Sequence, residues 1–171
     1  MPVGGSTPTG AYGYIRAYAE LILQCEQRDI EPAAIVFANG SGGTQAGLIA
    51  GSVLLGGGPR IAGVAVAIEP DLMTPLSDGL ADAALAQLGE AVARRDPATV
   101  LDGYRGPKYG EPTAEGEKAL SMMLRHEAIL LDPVYTAKAF SAIIAKDAAI
   151  PEGPIVFLHT GGTPAFFATT H

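Results

Sequence analysis

The stretch Ala33-Ala34-Ile35-Val36-Phe37-Ala38-Asn39-Gly40-Ser41-Gly42-Gly43-Thr44-Gln45-Ala46-Gly47 decides the fold. Ala33 to Ala38 is a continuous apolar run of strand length, the pattern of a strand covered on both faces, as in a parallel sheet. Gln45 to Leu55 is small and apolar and reads as a packed helix. The glycine-rich turn between them therefore sits at the C-terminal edge of a sheet, where α/β folds bind ligands. Glycines let the backbone approach an anion closely and reach positive φ, so that successive N–H groups converge into a nest. The helix N-terminus adds its partial positive charge, and Ser41 and Thr44 can donate hydroxyl hydrogen bonds. The turn lacks the GxGxxG spacing of a dinucleotide fold and the Gly-Lys-Ser/Thr ending of a P-loop. It suits a single phosphate better than a nucleotide; a glycine turn that binds nothing has the same composition.

Outward from this turn, apolar runs of two periods alternate. Ile61 to Ile68 and Ile155 to His159 read as further buried strands, with Ile129 to Leu131 as a shorter candidate. Helices are expected over Gly10 to Arg28, Leu76 to Arg95, Thr113 to His126 and Thr136 to Lys146. Thr113 followed by Ala-Glu-Gly-Glu gives the third of these a cap with acidic residues in its first turn. Strand and helix in alternation predict an α/β fold of three layers, a mostly parallel sheet flanked by helices. Asp96 to Pro112, rich in Gly and Pro, reads as a long loop, and long ordered loops in compact domains are often functional.

Among the 171 residues, 48% are hydrophobic and 17% charged, the balance of a folded body whose apolar surface expects a partner domain or subunit. The net charge of −7 and scattered Lys and Arg argue against a nucleic-acid partner. No apolar run is long enough to cross a bilayer, and the first residues lack the plan of a signal peptide. The single cysteine, Cys25, excludes an internal disulfide and a cysteine-based zinc site, and reads as a core residue. No metal site is expected, and a cytoplasmic location fits.

Five segments in order carry a resemblance: Gly4-Gly5-Ser6 with Gly10 to Tyr14; Asn39 to Gly47; Gly106-Pro107-Lys108-Tyr109-Gly110 with Pro112 to Gly116; Leu130-Leu131-Asp132-Pro133-Val134-Tyr135-Thr136-Ala137-Lys138-Ala139; and His159-Thr160-Gly161-Gly162-Thr163-Pro164. Together they resemble the C-terminal part of the D-cysteine desulfhydrase and 1-aminocyclopropane-1-carboxylate (ACC) deaminase group of fold-type-II pyridoxal-phosphate (PLP) enzymes. They span essentially the whole chain.

The resemblance implies that Asn39, Gly40, Ser41, Gly42, Gly43 and Thr44 hold the PLP phosphate, and that Tyr109 and Tyr135 line the substrate side of the ring as catalytic residues. Thr136 stands where ACC deaminases carry a Glu near the pyridine nitrogen. Thr160 is a second candidate for that nitrogen. A neutral partner there weakens the ring as an electron sink and suits β-elimination. The implied reaction is α,β-elimination from a small amino acid, D-cysteine to pyruvate, sulfide and ammonia, with ACC deamination and cysteate sulfo-lysis as alternatives. The family also tends to form homodimers.

The chain departs from the family in lacking the segment that carries the Schiff-base lysine, and the small domain. Lys108, Lys118, Lys138 and Lys146 do not match that lysine's position; Lys138 reads as structural and Lys108 is the one expected near the pocket. Ala137 stands where Gly is usual and Thr163 where Ala is commoner. Three readings follow: a piece of a longer lyase, a half whose missing N-terminal segment is a separate chain, or a non-catalytic phosphate-ligand or interaction module. In each, the isolated chain is expected to hold PLP non-covalently at most, without turnover.

Overall fold

In the computed structural model, residues 3–91 and 96–168 are described. A short 3-10 turn, Val3–Gly5, leads into α1 (Pro8–Glu26). There follow β1 (Ala34–Asn39), α2 (Gly43–Leu54), β2 (Arg60–Ala65), α3 (Pro70–Gln87), β3 (Thr99–Leu101), α4 (Ala114–Glu127), α5 (Thr136–Ile144), β4 (Ile155–Phe157) and α6 (Thr163–Ala168). The four strands form one parallel sheet in the order β3-β2-β1-β4. Helices α1, α2 and α3 pack together on one face, and α5, backed by α4, covers the other. This is the expected three-layer α/β arrangement.

Alternation along β1 sorts its side chains between the two layers. Ala34, Val36 and Ala38 join Ala62, Val64 and Val66 of the β2 segment against Ala139 and Ala142 of α5. Ile35 and Phe37 point the other way, onto Tyr18 of α1 and Leu48 of α2. All six β1 residues are buried, which is why the sequence there shows no polar alternation. Cys25 is buried on α1, as its apolar neighbourhood suggested.

Helices α1 and α2 approach closely along a row of glycines. A Cβ at Gly47 would lie 2.5 Å from the Ala11 carbonyl oxygen and from Tyr14 Cβ; one at Gly51 would lie 2.7 Å from Tyr18 Cβ. A Cβ at Gly43, one turn earlier, would lie 2.8 Å from Ser6 Oγ. Positions 43, 47 and 51 share one face of a helix. This face presses α2 against the chain that precedes it and fixes where the first turn of α2 points.

Three expectations are corrected. Ile129 to Leu131 forms no strand: Ala128 ends α4 in the left-handed region, and the chain then runs to the Asp132 turn without a neighbouring strand to pair with. Strand β3 lies within the segment expected to be loop; three residues pairing with β2 are too few to show a period. Helix α3 begins at Pro70 rather than Leu76. Pro70 sits in its first turn, where no N–H is required, and Pro75 is accommodated on an exposed face. The helix ends at Gln87, short of the expected Arg95, and 92–95 lie outside the described residues. Among the described residues, no helix is long and apolar enough to cross a membrane.

The glycine row gives a direct test. Gly47→Ala is expected to destabilise the chain by about 1–3 kcal/mol through overpacking against backbone that cannot retreat. Chemical denaturation of the two proteins measures this; an unchanged midpoint would mean that α1 and α2 can separate freely.

Candidate functional site at the C-terminal edge of the sheet

The turn after β1 is shaped by one side chain. Asn39 is buried, and its Oδ1 accepts the Gly42 N–H at 3.1 Å. Its Nδ2 donates to Gln45 Oε1 at 2.6 Å, and Gln45 Nε2 donates on to the Thr99 carbonyl of β3 at 2.8 Å. The amide pair thus ties the end of β1, the glycine turn, the start of α2 and the edge strand into one network. Gly63 on β2 leaves room for it: a Cβ there would come within 2.9 Å of Asn39 Nδ2.

Gly42, at φ 80°, caps α2 in the left-handed region, which favours glycine. No side chain caps this helix, and its first turn contains no acidic residue. The opening N–H groups of a helix have no intrahelical partner, and here they are left to whatever lies in front of them. Ser41 Oγ accepts a hydrogen bond from Ser6 Oγ at 2.7 Å, so the segment before α1 braces the turn from behind.

In front lies a cavity of about 720 Å³. Asn39, Gly40, Ser41, Gly42 and Thr44 form one wall, with Gly4 and Tyr14 beside them. Ala67 and Ile68, just past β2, form its floor. Tyr109, Tyr135 and the segment Thr160 to Gly162 complete the lining, with the Tyr135 ring 3.8 Å from where a Cβ at Gly40 would lie. A second hollow of about 830 Å³ lies at the other edge of the sheet, by Ala33 and Pro59. Glu26, Asp29 and Glu31 line it, a lining that repels anions.

The Tyr109 and Tyr135 hydroxyls are hydrogen-bonded to each other, with ring centroids 6.2 Å apart and planes at 64°. Tyr109 comes from the long loop and is 56% exposed, whereas Tyr135 is half-buried at the N-cap of α5. Its hydrogen bond to Tyr109, then burial, then the charges of Tyr109 and Asp132 hold the Tyr135 hydroxyl up at about 12.

Asp132 organises the Tyr135 side. Its buried carboxylate accepts from the backbone N–H groups of Val134, Tyr135 and Thr136 at 2.9, 2.8 and 2.9 Å, and from the Thr136 hydroxyl at 2.6 Å. Gly162 passes directly over this carboxylate, where any side chain would collide with it. The same aspartate therefore sets Tyr135 and the far rim of the cavity.

Of the residues singled out from sequence, Asn39, Gly40, Ser41, Gly42, Thr44, Tyr109, Tyr135 and Thr160 come together around the cavity. Gly43 opens α2 and packs against Ser6 behind the turn. Thr136 is fully buried; its hydroxyl donates to Asp132 and accepts from the Asp132 N–H, and it does not line the cavity. Gly4, Tyr14, Gln45 and Asp132 were not expected at the site. Gln45 and Asp132 were legible only as polar residues beside apolar runs, the signature of a buried hydrogen-bonded group.

A glycine turn, a helix N-terminus without a side-chain cap and two phenols thus border one cavity. The family described as pyridoxal-phosphate dependent enzyme matches residues 1–161. The chain belongs to this family, whose cofactor is PLP. It is 41% identical over 171 residues to a D-cysteine desulfhydrase of Klebsiella pneumoniae (strain 342), covering 98% of this chain and 51% of that protein. It is 37% identical over the same length to one from Serratia proteamaculans (strain 568), with the same coverage. The chain thus spans about half the length of the curated relatives it matches. A crystal structure described as an ACC deaminase homologue superposes with TM-score 0.84 at 38% identity, over 95% of this chain and 48% of that one. A threonine deaminase from T.th., with TM-score 0.57 and 20% identity over 89% of this chain and 57% of that one, shares the fold.

The raised Tyr135 hydroxyl has a consequence for stability. Above pH about 10, the ordinary tyrosine value, the unfolded chain ionises here while the folded chain does not until about 12. The contribution to stability is therefore complete below 10 and lost as pH rises through that window. Tyr109→Phe is expected to return the Tyr135 midpoint toward its ordinary value, read by NMR titration of ring-labelled tyrosine; an unmoved midpoint would show that burial alone sets it.

Proposed function

We propose that this chain is the C-terminal, cofactor-phosphate-binding part of a PLP-dependent lyase acting on a small amino acid. D-cysteine is the favoured substrate, with one water consumed to give pyruvate, sulfide and ammonia. The observation that carries this reading is the uncapped N-terminus of α2, open to the same cavity as the tyrosine pair. Desulfhydrase relatives at 37 and 41% identity support the substrate class. The ACC deaminase homologue keeps ACC deamination, and more distantly cysteate sulfo-lysis, as alternatives.

In this reading the N–H groups at the turn and the hydroxyls of Ser41 and Thr44 hold the phosphate. Of the two threonines considered for the pyridine nitrogen, Thr160 lines the cavity and takes that role; Thr136 acts through Asp132. When bound, PLP supplies an electron sink for the substrate's α-carbon. Tyr135, kept protonated, donates a hydrogen bond on the substrate side, and the more exposed Tyr109 relays or accepts a proton beside it.

Among the described residues that line the cavity there is no lysine. Lys108 is exposed and pairs with Glu111 at 3.3 Å, and Lys118 and Lys146 are exposed on other surfaces. That supports an auxiliary role for this chain: it binds the cofactor without covalent attachment and needs a further segment, in cis or as a separate polypeptide, for turnover. A homodimer and a cytoplasmic setting are part of the same proposal.

Two measurements test it. Titrating pyridoxine 5′-phosphate into the ¹⁵N-labelled chain is expected to shift the Gly42 and Gly43 amides, and Thr44→Val to weaken binding by about tenfold, the loss of one charge-assisted hydrogen bond. Amides that stay silent at excess ligand would refute the phosphate assignment. Borohydride treatment with PLP, followed by peptide mass analysis, is expected to leave no pyridoxyl group specifically on Lys108 or Lys138; stoichiometric labelling of either would refute the non-covalent reading.

A further inference from the structure

Lys138 has no exposed surface and lies on the buried face of α5 among alanines. A buried ammonium is stable only with well-placed partners, and an apolar side chain of similar size often serves stability as well. What the lysine does in addition follows from where it reaches. Its stem passes Gly116 of α4, with Cγ 3.6 Å from the place a Cβ there would occupy. Its Nζ donates to the Arg105 carbonyl at 2.7 Å. Burial lowers its pKa, and the carboxylates of Asp132 and Glu111 oppose that shift.

Arg105 belongs to the loop that carries Tyr109, four residues further on. Two other contacts hold the same stretch: Arg105 pairs with Glu69 ahead of α3, and the Tyr104 hydroxyl donates to Asp147 at 2.8 Å. The first lies at the surface, and the second reaches Asp147, past the far end of α5; neither leads directly to Tyr135. Lys138 does, because it stands one turn along the helix whose N-cap is Tyr135. One end of this side chain is fixed to the element bearing one phenol, and the other holds the backbone leading to its partner.

We propose that Lys138 is a positioning residue that sets the Tyr109 loop against Tyr135 and so fixes the substrate-side wall of the cavity independently of the phosphate-side wall. The meaning of that wall rests on the proposed function; the geometric claim does not. Lys138 touches neither cavity nor ligand, and it acts through the Arg105 carbonyl.

The test compares Lys138→Met with the parent chain by NMR. The variant is expected to keep the amide spectrum of β1 and α2 and to bind pyridoxine 5′-phosphate within about twofold, since the two walls are supported separately. It is expected to lose the ring-to-ring NOE between Tyr109 and Tyr135, and its Tyr135 titration should fall from about 12 toward 10. A retained NOE and midpoint would overturn the proposal, as would a loss of ligand affinity equal to the loss at Thr44→Val. If Lys138→Met does not fold, the parent chain decides. A slowly exchanging Lys138 ammonium signal with an NOE to the Arg105–Gly106 backbone is required, and its absence refutes the contact. Failure of the parent chain to bind pyridoxine 5′-phosphate would remove the cofactor reading and leave the NOE result standing on its own.

Discussion

The Asn39 side chain lies where β1 ends, in a position from which water is excluded, and a buried amide there is tolerated only if both of its ends are bonded. Its carbonyl end takes the Gly42 N–H, which bends the turn, and its amino end takes Gln45, which anchors the start of α2. The glycine-turn side of the cavity follows from that bend. Gly42 adopts a left-handed conformation, α2 starts without a side-chain cap, and its N–H groups face outward from the sheet edge. The Gln45 bond to Thr99 extends the constraint to β3, which explains why so short a strand is held in register.

The opposite wall has a different foundation. Asp132 draws three successive N–H groups onto one carboxylate, and this turn starts α5 and orients Tyr135. Gly162 crosses over the same carboxylate, so the final strand and its following loop are placed by it as well. Two buried polar residues, on different segments and without a shared hydrogen bond between them, thus define the two walls. The tyrosine hydroxyls meet in the opening between α5 and the long loop.

The strand, glycine turn and helix beside the cavity were legible in sequence because the signal is local: all three occur within fifteen consecutive residues. The Thr113 cap of α4 was legible for the same reason, with the hydroxyl accepting from Gly116 as its spacing implied. What escaped depends on partners far along the chain. Strand β3 exists because β2 is beside it, and Ile129 to Leu131, apolar enough for a strand, has no such neighbour. Thr136, which its motif put near the ring nitrogen, instead has its hydroxyl bonded to Asp132, four residues earlier, and does not line the cavity. Tyr14 was expected only as part of the first helix, yet it lines the cavity, where α1 packs closely on α2.

The charge of the cavity follows from this construction. Among the described residues that line it there is no Lys, Arg, Asp or Glu, and the chain as a whole is acidic, at −7. A phosphate held here is therefore held by oriented backbone dipoles and hydroxyls rather than by cations. Such dipoles are fixed before the ligand arrives, require no desolvated counter-charge and are less screened by salt than a surface lysine. Their weakness is geometric: N–H groups contribute only while the turn keeps its shape. Substitutions that move backbone, at Asn39 or behind the turn at Gly43, should then weaken an anion more than changes in nearby surface charge. The glycine row along α2 belongs to this same requirement, because a helix that must present its first turn at one place needs a neighbour pressed against it closely enough to prevent sliding.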